Sequence, residues 1–138
     1  MNQMLKPVPA PDADSRPFWD GCRDYKLMVQ CCTECETFRF PPHRFCPHCR
    51  SEQREWVEAS GKGEVFSWIV VVHPVPREVY AGDVPYVVSL INLDEGVRIV
   101  SNIIDCDPHA VEAGMRVEVA FQPARDDIVL PVFRPAKG

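Results

Sequence analysis

Four cysteines in two close pairs are the residues here with the clearest chemistry. Cys32 and Cys35 are separated by two residues, and so are Cys46 and Cys49, with ten residues between the pairs. Two cysteines at this spacing occupy two corners of a tetrahedron from one tight turn, so two such turns supply the four soft ligands that zinc takes in closed structural sites. A single pair of this kind could serve redox exchange through its first thiolate. Two pairs in so short a segment favour zinc, with iron as the other metal suited to four thiolates. A closed shell leaves no position for a reactive water. Cys31 sets a register question beside Cys32, but pairing it with Cys35 would make a poorer turn. Cys32 is therefore the expected ligand. His43 and His48 lie within the segment and are read as surface or outer-sphere residues, because four thiolates already fill the shell. Four thiolates around a divalent ion carry a net charge of about −2, which Arg39, Arg44 and Arg50 are placed to offset.

The surrounding elements must hold these turns in place. Residues 1–14 are proline-rich and read as an irregular tail. A short helix is expected to start at Asp14 or Ser15, with Pro17 in its first turn and Phe18, Trp19 and Cys22 on its apolar side. The run YKLMVQC, 25–31, reads as a strand entering the cysteine segment, and EWVEAS, 55–60, as a link out of it. Five strands are expected after that, at 64–73, 86–93, 97–104, 115–122 and 128–133. The second and third are joined by the hairpin loop Asp94-Glu95-Gly96. Pro131 marks the last strand as an edge or bulge. A turn of helix ending at Gly114 falls between the third and fourth strands. Five strands with a helical turn after the third is the order of an oligonucleotide/oligosaccharide-binding (OB) barrel, although an SH3-like barrel or an open meander gives a similar pattern. The expected fold is thus mainly β: tail and helix over 1–24, zinc ribbon over 25–54, five-stranded OB barrel over 55–138.

Composition narrows the function classes. The chain has 138 residues and a formal charge of −5, a poor basis for steering towards nucleic acid. No long apolar run suits a membrane span, and the start lacks the apolar core of a signal peptide. Seven cysteines, an odd number, argue against a secreted disulfide scaffold. A cytoplasmic protein is expected. Catalytic patterns are scarce. Cys106-Asp107-Pro108-His109 offers a thiol near an imidazole, with Asp105 or Asp107 as an orienter, but nothing else supports it. Cys22 reads as a buried small residue, His73 as a rim residue at a strand end, and Asp94 and Glu95 as turn carboxylates. Ser60-Gly61-Lys62-Gly63 lacks the spacing of a phosphate loop, although Lys62 could still touch a phosphate. Phe66, Trp68, Tyr80 and Tyr86 could stack on a base, an adenine or a pantetheine arm, or simply fill the barrel.

The runs LMVQCCTECETFRFPPHRFCPHCRS, EWVEASGKGEVFSW, PYVVSLINLDEGVRIVSNIIDCDP and LPVFRP together resemble an acyl-CoA-associated family that joins a rubredoxin-like zinc ribbon to an OB-fold. The family was long labelled a domain of unknown function, and the similarity covers about residues 15 to 135. The resemblance implies a non-catalytic accessory subunit of thiolase-superfamily enzymes, or of hydratase or aldolase partners, in a hetero-oligomer that holds or channels a CoA thioester. It implies one structural zinc on Cys32, Cys35, Cys46 and Cys49. It also implies an acyl-CoA, as a ligand shared with the partner, near Gly61, Lys62, Gly63, Phe66, Trp68, Arg98 and Asn102. Phe18, Trp19, Phe38, Phe40 and Phe45 are the expected partner contacts, since aromatic anchors dominate such surfaces. Two departures stand out: Glu36 follows the second cysteine where the family commonly has glycine, and Cys31 stands where arginine is common. Two other classes compete. A ribbon–OB binder of single-stranded nucleic acid would need a basic groove, and a stand-alone enzyme would need Cys106 or an open metal position.

Overall fold

The computed structural model describes residues 5–137; the first four residues of the tail reading lie outside them. A helix α1 (Arg16–Arg23) follows a turn in which Asp12 and Ser15 each accept the other's backbone N–H. Ser15 is its N-cap and Pro17 lies in its first turn, where a missing N–H costs nothing. Phe18, Gly21 and Cys22 form its buried side.

The ribbon sheet has three antiparallel strands in the order β2-β1-β3, with β1 Met28–Cys32, β2 Phe38–Arg39 and β3 Arg54–Glu58. β1 is the hinge of this unit, because its last four residues are all buried and it carries the first metal-site cysteine. The segment read from sequence as a link, from Glu55 onwards, is instead mostly strand. β3 pairs Met28↔Glu58 through Cys32↔Arg54 and so crosses the boundary drawn at 54/55.

Five strands then close a barrel in the order β4-β5-β6-β8-β7: β4 Lys62–Val71, β5 Tyr86–Leu93, β6 Arg98–Ile103, β7 Arg116–Pro123 and β8 Val129–Pro135. This is the OB connectivity, with the third and fifth barrel strands running parallel at Ile103↔Phe133. A short helix α2 (Arg77–Tyr80) sits in the β4–β5 connection. The expected helical turn before Gly114 is a 3-10 turn at Pro108–Ala110, capped by the Asp107 carboxylate on the His109 N–H. β5 shows why the barrel forms: Val87, Ser89, Ile91 and Leu93 are buried and alternate with residues left partly open.

Gly63 is where β4 pairs with Leu93 on one side and Val117 on the other. A Cβ there would stand 2.4 Å from the Asn92 carbonyl oxygen, so the barrel closes only around glycine. β6 and β8 make a single parallel pairing and stand apart on its N-terminal side. The seam is bridged by Ser101, whose hydroxyl donates to the Pro131 carbonyl at 2.8 Å. Because that carbonyl faces the seam, so does the missing N–H of Pro131, which therefore removes no ladder bond to β7. Phe18 and Trp19 of α1, together with Phe40, wall an apolar cleft of about 300 Å³ along the seam. One hydrophobic core runs through Phe18, Cys22, Leu27 and Val29 into Val65, Ile91, Val117 and Phe133, joining helix, ribbon and barrel.

Candidate functional site

The two cysteine turns are built alike. In the first, the Glu36 N–H donates to the Cys32 carbonyl at 2.8 Å and Glu36 has φ +63°. In the second, the Arg50 N–H donates to the Cys46 carbonyl at 2.8 Å and Arg50 has φ +68°. Each chain then returns a bond, Cys32 N–H to the Thr37 carbonyl at 3.0 Å and Cys46 N–H to the Ser51 carbonyl at 2.9 Å. The residue after each second cysteine thus sits in the left-handed region, which glycine enters without the Cβ penalty that Glu36 and Arg50 bear.

The sulfurs of Cys32, Cys35, Cys46 and Cys49 lie within 4.8 Å of one another, with Cys32···Cys49 at 3.5 Å and Cys35···Cys46 at 3.6 Å. Tetrahedral zinc with bonds of about 2.3 Å needs sulfurs about 3.8 Å apart, so the cluster fits a metal ion. The electrostatics agree with that. The Cys49 backbone N–H, with that of His48, draws the Cys46 thiol down to about 6. The Cys35 backbone N–H lowers Cys32 in the same way. For Cys49, the Ser51 N–H lowers the thiol, but desolvation and the other three sulfurs outweigh it and push Cys49 up to about 12. Without a cation the four groups cannot all ionise; a divalent ion removes that conflict.

Cys31 is buried and stands outside the cluster, its thiol raised chiefly by burial and then by Glu55. His43 and His48 are exposed, and neither belongs to the set. The arginines divide. Arg44 is paired with Glu52 at 2.6 Å, and Arg50 is exposed within the turn. Arg39 is only 3% exposed beside a fully buried Gln30. Gln30 Oε1 accepts from Arg39 Nε and from the His43 N–H, both at 2.8 Å, and Arg39 Nη2 donates to the His43 carbonyl at 3.0 Å. Sequence reasoning did not find Gln30. Its one signal is a polar residue inside an otherwise apolar strand leading to the cysteine cluster.

The residues tied by resemblance to CoA lie on β4, on β6 and at the corner that enters β4. Gly61 and Gly63 are buried, and a Cβ on Gly61 would lie 2.5 Å from Val119 Cγ1, so both glycines serve packing. The Ser60 N–H is taken by Glu95 Oε2 at 2.8 Å and the Lys62 N–H by Ser60 Oγ at 3.1 Å. The hairpin carboxylate thereby occupies a donor that a phosphate would need, while the Lys62 side chain remains exposed. Asp94 next to it is held by both Arg116 Nη atoms, at 3.0 and 2.9 Å, which keeps its carboxyl below the usual range. Phe66 and Arg98 do meet. The guanidinium lies 3.8 Å from the ring centroid and donates to Asn92 Oδ1 at 2.7 Å. Trp68 pairs with the buried Ser89 and packs against the core. Asn102 donates to the Val87 carbonyl at 2.8 Å and reaches the seam cleft.

Of the expected partner contacts, Phe18 must be reassigned. At 3% exposure, 4.9 Å from Trp19 and 5.3 Å from Phe40 by ring centroids, it is a core residue. Trp19, Phe38 and Phe40 are half-buried, and Phe45 is 53% exposed under the Arg44 guanidinium. Tyr80 and Tyr86 pack on each other with centroids 6.2 Å apart. The Cys106 thiol contacts the Asp107 carbonyl at 3.6 Å and is raised by burial and then by Asp107 and Asp105, the reverse of nucleophile activation. Burial pushes Cys22 up to about 12, in keeping with a packing role.

Comparison with known proteins matches residues 19–55 to the family profile described as the ChsH2 rubredoxin-like zinc ribbon domain. Residues 56–122 match the ChsH2 C-terminal OB-fold domain. The profiles meet inside β3. A protein of Thermomonospora curvata described as a probable enoyl-CoA hydratase alpha subunit is 41% identical over 132 residues. That alignment takes in 96% of this chain, which spans only 40% of that relative's length. A "DUF35 domain-containing scaffold protein" of Methanocaldococcus jannaschii is 39% identical over 104 residues, 75% of this chain and 72% of the relative. Among solved structures, a chain of the "Ltp2-ChsH2(DUF35) aldolase" superposes with a TM-score of 0.84 at 40% identity, over 93% of this chain and 98% of that one. With the ribbon, the closed barrel and the four-sulfur cluster in place, the chain belongs to the ChsH2/DUF35 family, which joins a rubredoxin-like zinc ribbon to an OB-fold.

Proposed function

We propose that this chain is a non-catalytic accessory subunit of an acyl-CoA-processing complex of the cytoplasm. It would hold one structural zinc ion, stabilise a catalytic partner and help position or channel the CoA thioester. The partner's class is thiolase-superfamily, working by acyl transfer or by forming and cleaving carbon–carbon bonds; a hydratase or aldolase is the alternative. The observation that carries the accessory-subunit reading is the 40% identity, over nearly the full length of both chains, with a chain of the "Ltp2-ChsH2(DUF35) aldolase"; the thiolase class rests on the resemblance read from the sequence.

The chemistry of the site supports it. A four-thiolate zinc is coordinatively closed, so the metal would supply rigidity and no activated water. Among the described residues, Cys106 and His109 are not joined by a hydrogen bond, and the Cys106 thiol is raised. Phe45 presents an exposed ring, and Trp19 a half-buried one, at the ribbon and seam, as aromatic anchors for a partner do. Positioning of a thioester and exclusion of water would then be this subunit's contribution to rate.

The single-stranded nucleic-acid reading draws on the OB barrel alone. On the β4–β5–β6 face it meets the exposed apolar residues Phe66, Ile69 and Val100 rather than a basic stripe. Co-expression with a thiolase-like partner, followed by native mass spectrometry and metal analysis, tests the proposal. A stoichiometric hetero-oligomer with one zinc per chain is expected, and added acyl-CoAs would then identify the ligand. A monomer that associates with no thiolase, hydratase or aldolase would refute it.

A further inference from the structure

The metal centre has a neighbour whose chemistry is unusual. Arg39 is 3% exposed, yet among the described residues no carboxylate forms an ion pair with it. Buried cations are ordinarily paired, because an uncompensated charge away from water is costly. The residue opposite it in the sheet, where a carboxylate would pair ideally, is the amide Gln30. Gln30 Oε1 performs the acceptor work a carboxylate would do, taking Arg39 Nε and the His43 N–H. The amide's other end is wasted, for Gln30 Nε2 and Arg39 Nη1 are both buried without partners. A site needing only a hydrogen-bonded clamp would be better served by glutamate.

Location explains the preference. Gln30 lies on β1 two residues before the ligand Cys32, Arg39 pairs beside it from β2, and their shared partner His43 leads into Cys46. The clamp therefore ties the strand that ends in Cys32 to the segment that leads into Cys46, and it keeps a positive charge between the two approaches to a centre that carries about −2 when four thiolates hold a divalent ion. Arg44 and Arg50 are poorly placed to help, one ion-paired and both exposed.

We infer that Arg39, held by the neutral Gln30, is the positioning residue and buried counter-charge of the tetrathiolate metal centre, and that an amide stands at position 30 so that this charge is not cancelled. The inference rests on metal occupancy of the four cysteines, but not on any partner or acyl-CoA ligand. Its failure is therefore distinguishable from failure of the functional reading.

The discriminating variant is Gln30→Glu, which keeps the acceptor and adds an ion pair to Arg39. The full chain is loaded with zinc for release to a chelator, and separately with iron, whose reduction potential reports local charge. Gln30→Glu is expected to release zinc roughly tenfold faster, on the scale of outer-sphere effects at metal sites, and to shift the iron potential to more negative values. Arg39→Lys, which retains charge but loses the fork, is expected to keep the iron potential, whereas Arg39→Met shifts it as Gln30→Glu does. Gln30→Glu with an unchanged potential and release rate overturns the inference. Should that variant not fold, equal potentials for Arg39→Lys and Arg39→Met overturn it as well.

Discussion

Glu36 and Arg50 occupy equivalent places, each following a second cysteine and each at positive φ. A side chain in that region costs roughly 1–2 kcal/mol against a right-handed residue. Glycine escapes the penalty but loses more entropy on folding. Glu36→Gly is therefore expected to raise the stability of the metal-loaded protein by about 0.5–1 kcal/mol, read as a higher denaturant midpoint; an unchanged or lower midpoint would show the strain is absent. The thiols themselves give a proton prediction. Cys49, pushed up to about 12, holds its proton in the metal-free cluster, while Cys46, drawn down to about 6, does not. Zinc uptake at about pH 8 is expected to release on the order of one proton or more per ion, and metal retention to weaken as pH falls. Calorimetry in buffers of different ionisation enthalpy measures the first. Uptake without proton release would contradict the thiolate assignment.

At the scale of elements, what could be read in the sequence followed from periodicity and spacing. The four-cysteine cluster was legible because paired turns repeat, and the barrel strands because apolar residues alternate, as from Val87 to Leu93. β2 was not legible, since two residues carry no period. Nor was β3, whose half-exposed REWVE has no clean inner face; its strand state comes from pairing with β1 rather than from its own pattern. The Gln30–Arg39 clamp depends on the register those short strands set, so sequence could place Arg39 near the metal but not bury it. Gly61 and Gly63 mislead in the opposite sense. A lysine between two glycines suggests a phosphate contact even without a phosphate loop's spacing, while their environment is that of a barrel corner. Gly63→Ala forces a Cβ against the Asn92 carbonyl and is expected to destabilise the fold by about 1–3 kcal/mol, the usual cost of overpacking. Thermal unfolding followed by circular dichroism measures the loss. A phosphate-loop role instead would leave stability intact and weaken only binding of a CoA phosphate.

For the whole molecule, the shared core decides which aromatic residues are free for a partner. Leu27 and Val29 enter the same buried cluster as Phe18 and the barrel residues. The helix thus welds ribbon to barrel, and the projecting tip of the ribbon keeps Phe45 in solvent. Two truncations separate these roles. Phe18→Ala removes a buried ring from the junction and is expected to cost about 3–5 kcal/mol of stability. Phe45→Ala, at an exposed site, is expected to change stability by no more than about 0.5 kcal/mol. In a complex reconstituted with the proposed acyl-CoA-processing partner, the second variant should nevertheless weaken association by more than about 1 kcal/mol, the scale of an anchoring aromatic. Unfolding midpoints and sedimentation of the reconstituted complex read the two effects independently. Full-strength association of Phe45→Ala would remove the ribbon tip from the partner surface and leave the seam, with the half-buried Trp19, as the contact to test next.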